Sequence, residues 1–127
     1  MYKALVVDYF GVLTDSDADE LLSFVKNLRE RGIRTALLSN AESGRGVRDR
    51  FSLFFATQVF SGEVGLVKPD ERVYQLVAKR LDVSLTECVF VDDSPSYVAG
   101  AISIGMTGIR HISTTETLAE ITALFGV

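Results

Sequence analysis

The sequence predicts a doubly wound α/β fold: a mainly parallel sheet with helices on both faces. Short, almost wholly apolar runs alternate with longer amphipathic stretches, and a polar residue follows directly on several of the apolar runs. Unbroken apolar runs suit strands covered on both faces, and strict alternation of strand and helix builds parallel crossovers.

The strands are read at ALVV (4–7), TALL (35–38), CVFV (88–91) and GIRHI (108–112), with a further short one near QVF. In ADELLSFVKNLRERG the residues Leu21, Leu22, Val25 and Leu28 share one stripe, Asp17 and Glu20 are spaced as a capping box, and Gly32 closes the helix. ESGRGVRDRFSLFF is read as a second helix. PDERVYQLVAKRLD repeats the helical spacing with Val73, Tyr74, Val77 and Leu81, opening at Pro69. SPSYVAGAISIGM starts with Ser94 as cap and Pro95 at the first helical position, and ETLAEITALF is the last helix.

The 127 residues fit one domain, 1–127, large enough to bury roughly two thirds of the surface of the unfolded chain. A composition 47% hydrophobic and 24% charged, without repeat or linker, is that of a globular protein. No secretory signal opens the sequence and no apolar run approaches the ~20 residues of a membrane span, so a cytoplasmic location is expected. The single Cys88 cannot pair internally, and its strand context marks it as a small apolar side chain. A net charge of -4 argues against nucleic acid as a partner, although Arg45, Arg48 and Arg50 form a small basic edge, read first as a solvated helix face. His111 has no second histidine near it in sequence and is assigned a structural role. DSDAD (15–19) begins like a calcium loop, but the sixth and twelfth positions are Glu20 and Lys26 in place of glycine and an acid, which rejects that reading.

Open α/β sheets bind ligands at the carboxyl ends of their strands. That rule gathers Asp8, Ser39, Asn40, Asp92 and Asp93 on one rim, and Lys68 in GLVKPD reaches the same edge. Three carboxylates, a hydroxyl and an ammonium suit a divalent cation and an oxyanion such as phosphate, whereas any one aspartate alone serves equally well as a helix cap.

DYFGVLTD, LLSN, KPD and FVDDS, in this order, resemble the four motifs of the haloacid dehalogenase superfamily of phosphohydrolases, across nearly the whole chain. The resemblance implies a Rossmann-like three-layer sandwich. It implies Asp8 as the nucleophile that forms an aspartyl-phosphate, Ser39 and the Asn40 loop as phosphate binders, and Lys68 as the neutralising charge. It further implies Mg2+ held by Asp8, the backbone carbonyl of Phe10, Asp92 and Asp93. The response-regulator receiver also combines an acid pair, an aspartate, a hydroxyl and a lysine, but there the acid pair follows the first strand and the lysine the last, the reverse of the order here.

Two departures bear on function. Phosphatases of the superfamily carry an acid two residues after the nucleophile, and here that position is Phe10. Loss of a positioned general acid–base costs about 10²–10⁴ in rate, most for alkyl phosphates and less for aryl or acyl phosphates. The dehalogenase branch also lacks that acid, because a halide leaves without a proton, but it does not keep the acidic pair. A third reading is an impaired enzyme retained for binding or regulation, to which Tyr97 adds weight, standing where relatives often carry asparagine. The second departure is length: 31 positions from Asp8 to Ser39 (39 − 8) and 29 from Ser39 to Lys68 (68 − 39) leave no room for a cap domain. An uncapped rim accepts a phosphorylated small molecule or a macromolecule, or is covered by a second copy of the chain.

Overall fold

The computed structural model describes residues 1–127. Five parallel strands form one sheet: β1 (Ala4–Val7), β2 (Arg34–Ser39), β3 (Thr57–Phe60), β4 (Cys88–Asp92) and β5 (Thr107–Arg110). The order across the sheet is β3-β2-β1-β4-β5. The chain therefore winds outward from β1 through β2 to β3, then returns to the other side of β1 for β4 and β5. The direction reverses between β1 and β4, and such a reversal opens a crevice at the strand ends.

The alternating side chains of β1 show how both faces are covered. Leu5 and Val7 face a core built with Leu21, Val25 and Leu28 of α1 (Ala18–Glu30) and Ile121 of α5 (Thr114–Phe125). Ala4 and Val6 face a second core with Val73, Tyr74, Val77 and Leu81 of α3 (Glu71–Leu81) and Val98 and Ala101 of α4 (Pro95–Ser103). This is the three-layer doubly wound sandwich expected from the sequence. Only residues 8–17 join β1 to α1, so no cap domain is inserted there.

Several local expectations need correction. The residues from Gly44 to Phe55 do not form a regular helix but a series of turns, in which Arg48 N–H donates to Gly44 O and Phe55 N–H to Phe51 O. Val47, Phe51, Phe54 and Phe55 have helical spacing, yet Gly44 and Gly46 open the segment and Gly46 takes a φ of +79°, which a continuing helix does not allow. A short helix, α2 (Ser61–Val64), follows β3 where none was expected. Asp17 does not close a capping box, because its carboxylate accepts instead from Thr114 Oγ1 at 2.9 Å. Pro69 is not the first residue of α3: the helix starts at Glu71, behind an Asp70 cap whose side chain accepts from Arg72 N–H. Ser94 and Pro95 cap and open α4 as expected. The last strand ends at Arg110, before His111.

Candidate functional site at the carboxyl ends of the strands

The strands run on into the polar residues that follow their apolar runs: Ser39 is the last residue of β2 and Asp92 the last of β4. Asp8 continues β1, its N–H donating to Val91 O at 3.0 Å. All three are thus fixed by the ladder of the sheet. Lys68 comes from the loop before α3, and Asn40 holds it there. The Asn40 side chain accepts from Lys68 N–H at 2.9 Å and donates to Lys68 O at 3.2 Å. Asn40 therefore borders the site but spends its amide on positioning the lysine, a task that its place beside Ser39 did not announce.

The Lys68 ammonium has three hydrogens and three acceptors. Nζ lies 2.8 Å from Asp8 Oδ1, 2.7 Å from Asp92 Oδ2 and 3.2 Å from Leu38 O. It also sits 5.0 Å from the ring centre of Tyr97 and 5.7 Å from that of Phe90, within cation–π range. Lys68 is 3% exposed, Asp8 6% and Asp92 0%, so the group is an ion triad at the edge of the core. Burial without full pairing is costly for charges. It pushes the Asp8 carboxyl up to about 6, with Lys68 pulling in the opposite direction and Asp92 adding to the rise.

Asp93 differs from its neighbour. Asp92 turns inward, accepting from Lys68 and, through Oδ1, from Ser94 N–H at 3.0 Å, whereas Asp93 is exposed at the rim. The carboxylates of Asp8, Asp92 and Asp93 each bring an oxygen within 4.8 Å of the others. Burial, and then the hydrogen bond and negative charge of Asp92, hold the Asp93 carboxyl above its usual range. Gly11 lets this arrangement form. Its φ is +81°, and a Cβ there would overlap the Asp93 carboxylate. No hydrogen bond within the molecule uses the Phe10 carbonyl.

Asp8, Phe10, Gly11, Ser39, Lys68, Asp93 and Tyr97 line an open cavity of about 310 Å³, bordered also by Asn40 and Ala41. Of the residues singled out for the site, Asp8, Phe10, Ser39, Asn40, Lys68 and Asp93 surround this cavity, and Asp92 lies buried behind Lys68. Phe10 does not enter the core: it is 61% exposed, edge-on to Tyr9 with ring centres 4.8 Å apart.

A family model for haloacid dehalogenase-like hydrolases matches residues 2–105. The chain belongs to the haloacid dehalogenase-like hydrolase family. Phosphatase MT3486 of Mycobacterium tuberculosis is 36% identical over 65% of this chain and 40% of its own length. (S)-2-haloacid dehalogenase 1 of a Pseudomonas strain is also 36% identical, over 65% of this chain and 38% of its own. The curated relatives are longer proteins, of which this chain spans from 12% to 56%. An uncharacterized protein from Corynebacterium glutamicum has a solved structure that superposes with a TM-score of 0.94 at 30% identity, covering 100% of this chain and 97% of the other.

The remaining marked residues of this family member lie outside the cavity. Cys88 is buried in β4, and burial pushes its thiol up to about 11, far from a reactive thiolate. His111 is also buried, with Nδ1 2.6 Å from Thr117 Oγ1 and Nε2 2.7 Å from Asp15 Oδ2. It ties the loop after Asp8 to α5, a structural role whose partner is 96 positions away in sequence. Arg48 pairs with Glu63, and the Arg48 and Arg50 guanidinium groups lie 5.1 and 4.7 Å from the ring centres of Phe60 and Phe51. No helix is long and apolar enough to cross a membrane.

Proposed function

We propose that the chain is a magnesium-dependent phosphohydrolase acting through an aspartyl-phosphate on Asp8. The observation that carries the reading is the Lys68 ammonium held between Asp8 and Asp92, with the exposed Asp93 carboxylate beside them on an open rim. Three carboxylates against one ammonium leave two negative charges (3 − 1), the charge that one divalent cation balances. The donors are hard oxygens, which suit magnesium. Asp8, Asp93 and the Phe10 carbonyl would hold the ion, with Asp92 orienting Lys68 behind them. A family enzyme of the same fold from Bacteroides thetaiotaomicron, solved in complex with magnesium and inorganic phosphate, supports the choice of ion (TM-score 0.64).

Bound there, magnesium supplies positive charge where nucleophile and phosphate would otherwise repel. An Asp8 oxygen forms the bond to phosphorus as the bond from phosphorus to the leaving oxygen breaks, and the leaving group takes the electron pair. Lys68 stabilises the ionised form of Asp8 and the charge on the transferring group, while the Ser39 hydroxyl donates to a phosphoryl oxygen. Water then attacks phosphorus and releases Asp8. Phe10 can neither protonate the leaving oxygen nor activate that water, so turnover favours leaving groups stable as anions.

The test pairs binding with turnover. Beryllium fluoride, a mimic of the phosphorylated aspartate, is titrated with magnesium by calorimetry, and hydrolysis of an aryl phosphate is followed in parallel. Binding that needs magnesium, with slow hydrolysis lost in Asp8→Asn and alkyl phosphate hydrolysis raised about 10²-fold in Phe10→Asp, is the expected result. Equal hydrolysis by wild type and Asp8→Asn would sink the proposal.

A second reading is favoured by Phe10 itself. Displacement of halide from carbon by Asp8 needs no proton donor, and a haloacid dehalogenase is among the relatives. Halide release from a 2-haloacid, undiminished by chelator, would select it.

A further inference from the structure

The walls of the cavity carry information about what fills it. Five of the lining side chains are polar or charged: Asp8, Ser39, Asn40, Lys68 and Asp93. Beside them stand two aromatic rings, Phe10 and Tyr97. Tyr97 is fixed, its backbone carbonyl accepting from Tyr74 Oη at 2.7 Å and its ring lying near the Lys68 ammonium. Phe10 is supported edge-on by Tyr9, which in turn meets Phe51 edge-on at 5.7 Å between ring centres. A row of three rings thus ends in one that is 61% exposed at the mouth of the site. Large apolar side chains left open beside a polar site mark a place where a ligand covers them.

We infer that the site takes aryl phosphate monoesters, with the aromatic ring of the leaving group packed against Phe10. The inference rests on the phosphohydrolase reading above and adds the substrate class. Chemistry and shape lead to it independently. A phenol ionises near pH 10, as tyrosine does, whereas water, the nearest simple model of an alkyl hydroxyl, does so near about 15.7. A phenolate therefore departs with the electron pair of the broken phosphorus–oxygen bond and takes its proton from solvent afterwards. The residue that removes the proton donor is the same residue that offers a ring. Phe10 exchanges acid catalysis for aromatic binding at one position.

The experiment separates ring recognition from turnover. Binding of phenylphosphonate, methylphosphonate and inorganic phosphate is measured by calorimetry in the presence of magnesium, for wild type, Phe10→Ala and Phe10→Tyr. Phenylphosphonate binds wild type about tenfold more tightly than methylphosphonate, the size of one aromatic pairing. The preference falls to near one in Phe10→Ala and returns in Phe10→Tyr. Phe10 is mostly exposed, so the replacements fold. In turnover, the ratio of KM for phenyl phosphate to KM for acetyl phosphate, whose acetate also leaves without a proton donor but has no ring, rises in Phe10→Ala. Comparison of phenyl phosphate with a phosphotyrosyl peptide tells a free ligand from a protein side chain of the same chemistry. Equal binding of the two phosphonates by wild type, with phosphate still bound, overturns the inference alone. Failure to bind any of the three overturns the phosphohydrolase reading and the inference with it.

Discussion

Gly11 is where the site is least tolerant of change. Its left-handed backbone disfavours any side chain by about 1–3 kcal/mol, and an added Cβ would overlap the Asp93 carboxylate. Gly11→Ala is therefore expected to lower stability by at least about 1 kcal/mol and, by displacing Asp93, to weaken magnesium binding about tenfold or more. Calorimetric titration of magnesium into the folded variant checks this, and unchanged affinity would show that Asp93 does not hold the ion. At this scale much of the site was legible. Asp8, Ser39 and Asp92 each end an apolar run, and a strand end is a position that sequence can mark. What was not legible is which way neighbouring side chains turn. Asp92 and Asp93 are equivalent as text, but Asp92 ends β4 and turns inward to Lys68 and Ser94 N–H, whereas Asp93 is exposed. Asn40 reads as a residue of the phosphate loop, but its amide is taken by the backbone of a residue 28 positions away.

Among the elements, α5 acts on the site without touching it. Through its first turn, Thr114 binds Asp17, and Thr117 holds the His111 ring that meets Asp15. These contacts pin the far end of the loop that carries Phe10 and Gly11. His111→Ala leaves a cavity and two unpaired polar partners, so stability should fall by about 2 kcal/mol. Amide exchange across residues 9–17 should rise more than exchange in β1. Uniform loss of protection would instead mean that His111 supports the core as a whole. The elements also show where periodicity misleads. Strands β1, β2 and β4 were placed to within a residue or two because burial on both faces leaves an uninterrupted apolar signature. The segment from Gly44 to Phe55 has the spacing of a helix, since Phe51 and Phe55 are both buried, but the two glycines at its start let the chain pack those rings through turns. Spacing reports which residues face inward; it does not fix the backbone between them.

For the whole molecule, the site sets a conflict between stability and readiness for reaction. Burial pushes the folded Asp8 carboxyl up to about 6 from an ordinary value of 3.8, outweighing the help of Lys68. Between those two values the folded state holds more protons than the unfolded state, so stability falls as pH rises from about 4 to about 6 and stays lowered above that. Asp93, raised in the same direction, adds to the trend. The exposed pairs work in a different window. Asp70 beside Arg72 and Glu87 beside the Ser84 backbone and Lys3 are both lowered to about 2, and they lose their contribution only as pH falls through the carboxylate range toward 2. A neutral side chain at position 8 removes the penalty. Asp8→Asn should therefore melt at a higher temperature than wild type at pH 7 in chelator, and the difference should vanish near pH 4. Magnesium should raise the wild-type melting temperature at pH 7, less so at pH 4, and do less for Asp8→Asn at either pH. Melting curves at the two pH values, with magnesium and with chelator, decide the matter. If Asp8→Asn melts below wild type at pH 7 in chelator, the Lys68 pairing outweighs burial and the nucleophile is stabilising in the resting protein. The expected order means the opposite: the fold holds a destabilised carboxylate at an open rim, and binding of the cation there recovers stability while it prepares Asp8 to attack.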